Sequence, residues 1–314
     1  MPQRIDYQVR LPAPHTHRFS VTLKIARPQA KQRLSLPVWI PGSYLVREFA
    51  RHLSPITARQ GAHEIGVTPI DKSTWELGCS DREAVTVSYE VYAFDASVRT
   101  AWLDAQRGFF NGTSLCLQVP EAAAEPHTLD IAPVAGTTGW QLATGLPAVT
   151  VDKAGFGLYR APDYDTLVDC PVEMGPFWSG SFEVFGIPHR FVVAGAPPSF
   201  DGELLLADTR AICEAEMRFW HGSALEQYQK DSSSRNKDEG PSPIPFKNYV
   251  FMLAAVHDGY GGLEHKNSTA LICNRKDLPR LPRTTLAPTT HKQPEGYTTL
   301  LGLISHEYLH TWNV

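Results

Sequence analysis

Phe19-Ser-Val-Thr-Leu-Lys-Ile25 alternates apolar and polar side chains along its length, the period-two signature of a strand with one buried and one wet face. The text around it repeats the reading. Leu36-Pro-Val-Trp-Ile-Pro41, Ala84-Val-Thr-Val-Ser-Tyr-Glu-Val-Tyr92 and Thr113-Ser-Leu-Cys-Leu-Gln-Val119 are short β-rich runs punctuated by Pro and Gly. From Ile5 to about Val168 almost no long helical stripe appears, so residues 1–172 are expected to form an all-β, sandwich-like N-terminal domain.

Past that point the pattern changes. Phe182-Glu-Val-Phe-Gly-Ile-Pro-His-Arg-Phe-Val-Val193 reads as a last hairpin. Asp201 is placed to cap a helix in which Leu205, Ile212 and Phe219 recur every seven residues, with Ala215 and Trp220 filling the same stripe. Residues 173–314 are therefore expected to form a second, α+β unit, and the polar run Lys230 to Pro245 reads as a solvated surface loop.

Composition narrows the function classes. A length of 314 residues suits two domains, and 42% hydrophobic against 20% charged residues supports packed cores. Lys plus Arg number 29 and Asp plus Glu 33, a net charge of -4 that gives no basis for nucleic acid or an acidic membrane surface as a partner. The five cysteines are widely spaced and never form C-x-x-C, so neither a disulfide framework nor a cysteine zinc knuckle is expected. The opening MPQRIDYQVRLP lacks the apolar core of a signal peptide, and no run approaches the roughly 18 apolar residues of a membrane span. A cytoplasmic location is the resulting expectation. Oligomeric state is not legible.

Chemistry concentrates near the C-terminus, where His306-Glu307-Tyr308-Leu309-His310 spells H-E-x-x-H. On a helix, two histidines four residues apart are rotated by only about 40°, so both imidazoles reach one ion. Zinc accepts neutral imidazole and, in catalytic sites, keeps a position open for water. Glu307 lies on the neighbouring arc, placed to act as general base. Thr299, Leu300, Leu303 and Ile304 supply an apolar helical pattern ahead of the motif. Upstream, Gly261 and Gly262 precede a strand-like run whose edge a peptide could join by strand addition, and Glu264 could hold a substrate's amino terminus. Ser43 and Ser181 lack the G-x-S-x-G setting of a hydrolase nucleophile. Glu173 reads first as a structural carboxylate.

These motifs resemble the glycyl aminopeptidase family, metallopeptidase family sixty-one, a group of thermolysin-like gluzincins. The matching text is Pro37-Val-Trp-Ile-Pro-Gly-Ser-Tyr-Leu-Val-Arg-Glu-Phe49, Phe110-Asn-Gly-Thr-Ser114, Asp169-Cys-Pro-Val-Glu-Met-Gly175, Gly261-Gly-Leu-Glu-His-Lys-Asn-Ser-Thr269 and Ser305-His-Glu-Tyr-Leu-His-Thr-Trp-Asn313. The resemblance implies an N-terminal β-domain, the first part of a thermolysin-like zinc domain, an often-associated PDZ domain, and removal of N-terminal Gly or Ala from peptide or protein N-termini. Gly261 to His265 looks like the exopeptidase motif of the aminopeptidase N family, with His265 where that family has Asn; by that similarity Glu264 takes the amine-binding role. Gluzincins add a third zinc ligand from a later helix, which the resemblance places beyond Val314, so the 314 residues alone are expected to bind zinc weakly and to show little activity. A zinc endopeptidase and a non-catalytic peptide-binding scaffold are the alternative functions.

Overall fold

The computed structural model describes residues 4–80, 83–133, 136–232, 243–282 and 293–314. The chain divides into a first unit ending at Pro176 and a second beginning at Phe177.

The first unit is built on an eight-stranded sheet centred on Ile5–Arg10, Arg18–Ile25 and Val85–Tyr92, with a four-stranded and a three-stranded sheet beside it. Alternation works as expected along Arg18–Ile25: Phe19, Val21, Leu23 and Ile25 are fully buried. That buried face meets the four-stranded sheet, where the Phe19 ring lies 5.4 Å from Phe110. One pairing is parallel, Ile5–Arg10 against His127–Ile131.

Two of the expected strands are absent as such. Leu36–Pro41 continues from the strand Lys31–Ser35 as irregular chain, because Pro37 and Pro41 carry no N–H for a ladder. Thr113–Val119 begins in a helical turn, Gly112–Leu115. Its carbonyls find other partners: the hydroxyls of Tyr89, Tyr164 and Tyr7 donate to the carbonyls of Leu115, Cys116 and Leu117 at 2.6, 2.6 and 2.7 Å. Three buried tyrosines thereby satisfy three consecutive buried carbonyls that no strand covers.

Glu173 lies on the strand Val172–Gly175, which pairs with Gly108–Phe110 and Gln141–Thr144, so the division of the chain falls after Pro176 rather than at Val172. Its carboxylate is fully buried and accepts two bonds of 2.7 Å from Arg107 Nε and a terminal nitrogen. Burial pushes its pKa up, and the guanidinium opposes that shift.

The second unit carries a five-stranded sheet in the order Trp178–Val184, Ile187–Ala194, Tyr249–Val256, Ser268–Asn274, Gly261–Glu264. The middle three strands are parallel, and Gly261–Glu264 forms one edge. The first two strands make the expected hairpin, turning at Phe185 and Gly186 with φ of 50° and 80°, values that suit the right-handed twist of the pair.

A long helix, Gly202–Ser232, starts where Asp201 accepts a bond from the Leu204 amide at 3.0 Å. Its buried stripe differs from the heptad expectation. Leu205, Leu206, Thr209, Cys213 and Met217 face inward, whereas Phe219 is 77% exposed and Ala215 is exposed. A seven-residue step on an α-helix drifts by about 20° one way, whereas a four-residue step drifts by about 40° the other. The buried series Leu205, Thr209, Cys213 and Met217 therefore turns about 120° from Leu205 by its end, away from the heptad positions. The terminal helix, Glu295–Leu309, buries Tyr297, Leu300, Leu303, Ile304, Glu307 and Tyr308.

All five cysteines are buried and unbridged. Among the described residues no helix is long and apolar enough to cross a membrane. Most of the Lys230 to Pro245 run lies outside the described residues.

Candidate functional site

The apolar positions of the terminal helix fix its rotation against the core, and that rotation determines where the polar residues of its last turns point. His306 is exposed, His310 is half-buried, and their Nε2 atoms stand 3.1 Å apart. His310 Nδ1 lies 2.8 Å from the carbonyl oxygen of Asn313, an acceptor only, so Nδ1 carries the proton and the Nε2 lone pair faces its neighbour. Two nitrogens on one tetrahedral zinc, each at about 2.0–2.1 Å, would be about 3.3 Å apart. The histidine pair therefore fits one shared ion.

Glu307 is 5% exposed and packs against the edge strand. The contact depends on glycine: a Cβ added to Gly262 would lie 2.3 Å from Glu307 Cδ and Oε1. Sequence reasoning gave Gly262 to the substrate backbone; its neighbour here is the carboxyl group of Glu307. Gly261, at φ 148°, has open space around its Cβ position. At the other end of the edge strand, ligand atoms of Glu264, Glu307 and His310 all lie within 4.8 Å of one another. Of the six residues singled out in the sequence, Glu264, Glu307 and His310 thus cluster, His306 adjoins the cluster through His310, Gly262 adjoins it through Glu307, and Gly261 sits at the strand's open start.

Two residues behind the helix escaped sequence reasoning. His189 is buried; its Nδ1 donates to the Ile187 carbonyl at 2.9 Å, and its Nε2 accepts from the Tyr308 hydroxyl at 2.9 Å. Burial lowers its pKa from 6.5 to about 4. Glu216, on the long helix, accepts a 2.7 Å bond from the Ser305 hydroxyl, and burial raises its pKa to about 7 against the opposing effect of that bond. Together they tie the helix on both sides of His306. Only parity could have hinted at His189, which falls on the inward positions of its strand.

The shift in His189 has a measurable consequence. Below pH 6.5 the unfolded chain takes up a proton that the folded state refuses until about pH 4, so stability is lost as pH falls through that window. The total is roughly 3 kcal/mol. His189→Gln keeps a neutral acceptor for Tyr308 but cannot titrate. The difference in unfolding free energy between native protein and variant should narrow by about that amount between pH 7 and pH 4 in denaturant titrations; parallel curves would show that His189 does not carry this term.

Comparison with known proteins adds two findings. The Peptidase M61 N-terminal domain model matches residues 6–176. Among solved structures, an aminopeptidase N family protein from Idiomarina loihiensis is 36% identical with a TM-score of 0.84, the alignment covering 98% of this chain and 48% of that one. The chain thus spans about half the length of that relative. An M1 zinc metallopeptidase from Deinococcus radiodurans is 13% identical with a TM-score of 0.48, over 86% of this chain and 60% of that one. No curated protein matches the chain.

Proposed function

The chain belongs to the M61 peptidase family, and from that premise we propose that it acts as a zinc-dependent aminopeptidase, releasing N-terminal residues, Gly and Ala foremost, from peptides. The observation that carries the reading is the 3.1 Å approach of the two Nε2 atoms beside a buried carboxyl group. The 36% identity to an aminopeptidase N family protein supports the exopeptidase part.

In this reading His306 and His310 hold the zinc, with His310 kept in the ligating tautomer by the Asn313 carbonyl. When bound, the ion supplies Lewis acidity toward the scissile carbonyl and acidifies a water molecule. Glu307, held on that side by its seat against Gly262, takes the proton from the attacking water and delivers it to the leaving amine. Glu264 receives the substrate's ammonium group and so fixes the distance from amino terminus to scissile bond. The open outer side of Gly261–Glu264 aligns the substrate backbone by strand addition.

The test is a pair of substrates, Gly-Ala-Ala and its N-acetylated form, given to the protein with whatever sequence its gene encodes beyond Val314. The free peptide should lose its first residue and the acetylated one should resist. Equal cleavage of both assigns an endopeptidase instead, and cleavage of neither under zinc saturation favours the scaffold reading.

One distance favours a second reading of Glu264. Lying within 4.8 Å of the Glu307 and His310 ligand atoms, it is close enough to share an ion with His310 and so to add a carboxylate to the metal set. Glu264→Gln separates the two: an amine anchor leaves zinc content unchanged and raises KM for free-amine peptides, whereas a ligand loses zinc.

A further inference from the structure

At the carboxyl ends of the parallel strands Tyr249–Val256 and Ser268–Asn274 lies a cleft of about 580 Å³. Its polar walls are His257, Asp258, Asn274, Arg275, Lys276 and Arg280. Three cations face one carboxylate there, 3 − 1 = +2 with His257 neutral, in a chain whose net charge is -4. Arg275 is held in place: its Nε donates to the Gly195 carbonyl at 2.8 Å and a terminal nitrogen to the Ala255 carbonyl at 3.1 Å.

The cleft is tied to the turn that precedes the edge strand. Asn274 forms part of its wall and also accepts a 3.1 Å bond from the Gly259 amide, while donating to Asp277 at 3.2 Å. One side chain therefore joins the cleft to the turn that leads into Gly261. Within the sheet Gly261 pairs with Ile272 and Glu264 with Thr269, so the edge strand runs away from the cleft toward Glu264. A peptide added antiparallel to its open side, with its amine at Glu264, runs the other way: past the open space at Gly261 and toward the turn that Asn274 ties to the cationic cleft. Three residue steps separate Glu264 from Gly261, about 10 Å at 3.3 Å per residue.

We propose that this cleft binds a carboxylate of the substrate, carried three to five residues from its amino terminus, and so gives the enzyme a preference for short or acidic peptides. The carboxylate comes from the peptide's C-terminus or from an Asp or Glu side chain at that distance. The proposal rests on the aminopeptidase reading for the direction of the peptide, but its test does not depend on turnover.

Isothermal titration calorimetry on the Glu307→Gln protein, which is expected to bind peptide with little turnover, compares Gly-Ala-Ala-Ala with its C-terminal amide, and Gly-Ala-Ala-Asp-Ala-amide with the Asn version. For a partly exposed site with several cations the acid should bind about tenfold more tightly than its neutral partner. The first pair reads the terminal carboxylate and the second the side chain. In Lys276→Glu/Arg280→Glu the ratio should collapse to about one or invert. Equal affinities in both pairs, or a preference that survives the double charge reversal, would overturn the proposal. Failure of Gly-Ala-Ala hydrolysis, by contrast, bears on the aminopeptidase reading alone.

Discussion

Replacing Glu307 with Gln is expected to lower kcat on Gly-Ala-Ala about a thousandfold, within the range that a positioned general base supplies. KM and zinc content should stay close to native. The expectation follows from where the side chain sits. Glu307 is buried against the edge strand, and Gln has nearly the same shape, so the seat beside Gly262 stays filled and the terminal helix keeps its rotation. His306 and His310 are expected to keep their 3.1 Å approach, because Gln fills the same space and the Asn313 carbonyl holds the His310 ring. The substitution therefore removes proton transfer and leaves the metal ligands in place. His310→Ala does the reverse, stripping zinc along with activity. Zinc content by elemental analysis beside kcat distinguishes them. A Glu307→Gln protein that retains more than a tenth of native turnover would remove Glu307 from the chemistry.

How much of this could be read in the sequence varied with the kind of signal. Alternation along Phe19–Ile25 marked a strand correctly, because period two depends only on one face being buried. Thr113–Val119 carried a similar apolar density yet opens as a helical turn, since three tyrosine hydroxyls from distant segments satisfy its carbonyls and no local rule announces them. In the long helix the aromatic Phe219 drew attention to a heptad, while the inward stripe runs through Thr209 and Cys213, whose burial comes from packing against the sheet and the terminal helix. At the site, H-E-x-x-H was legible because its two histidines lie on the last turn of one helix and its C-cap. His189 and Glu216 were not, since their partners Tyr308 and Ser305 lie 119 and 89 residues away. Gly262 stood between: visible as a glycine in need of a neighbour, with the neighbour itself hidden.

That neighbour makes Gly262→Ala the sharper probe. Its Cβ would fall 2.3 Å from the Glu307 carboxyl carbon, far inside van der Waals contact, and Glu307 is anchored on a helix whose inner face is locked by Leu303, Ile304 and Tyr308. The carboxyl group must swing or the edge strand must retreat, and either change spoils the line from base to water. Turnover is expected to fall about a hundredfold, the cost associated with a catalytic group misplaced by about 1 Å, with overpacking destabilising the protein by about 1–3 kcal/mol. The decisive measurement is a double-mutant cycle with Glu307→Ala. Removing the carboxyl group opens the space that the new methyl needs, so in that background Gly262→Ala should cost almost no stability, giving a coupling energy of about 1–3 kcal/mol. If glycine were required at 262 only to admit a substrate backbone, Ala would raise KM while stability remained additive with changes at Glu307. Coupling assigns Gly262 as the positioning residue for the general base; additivity returns it to the substrate.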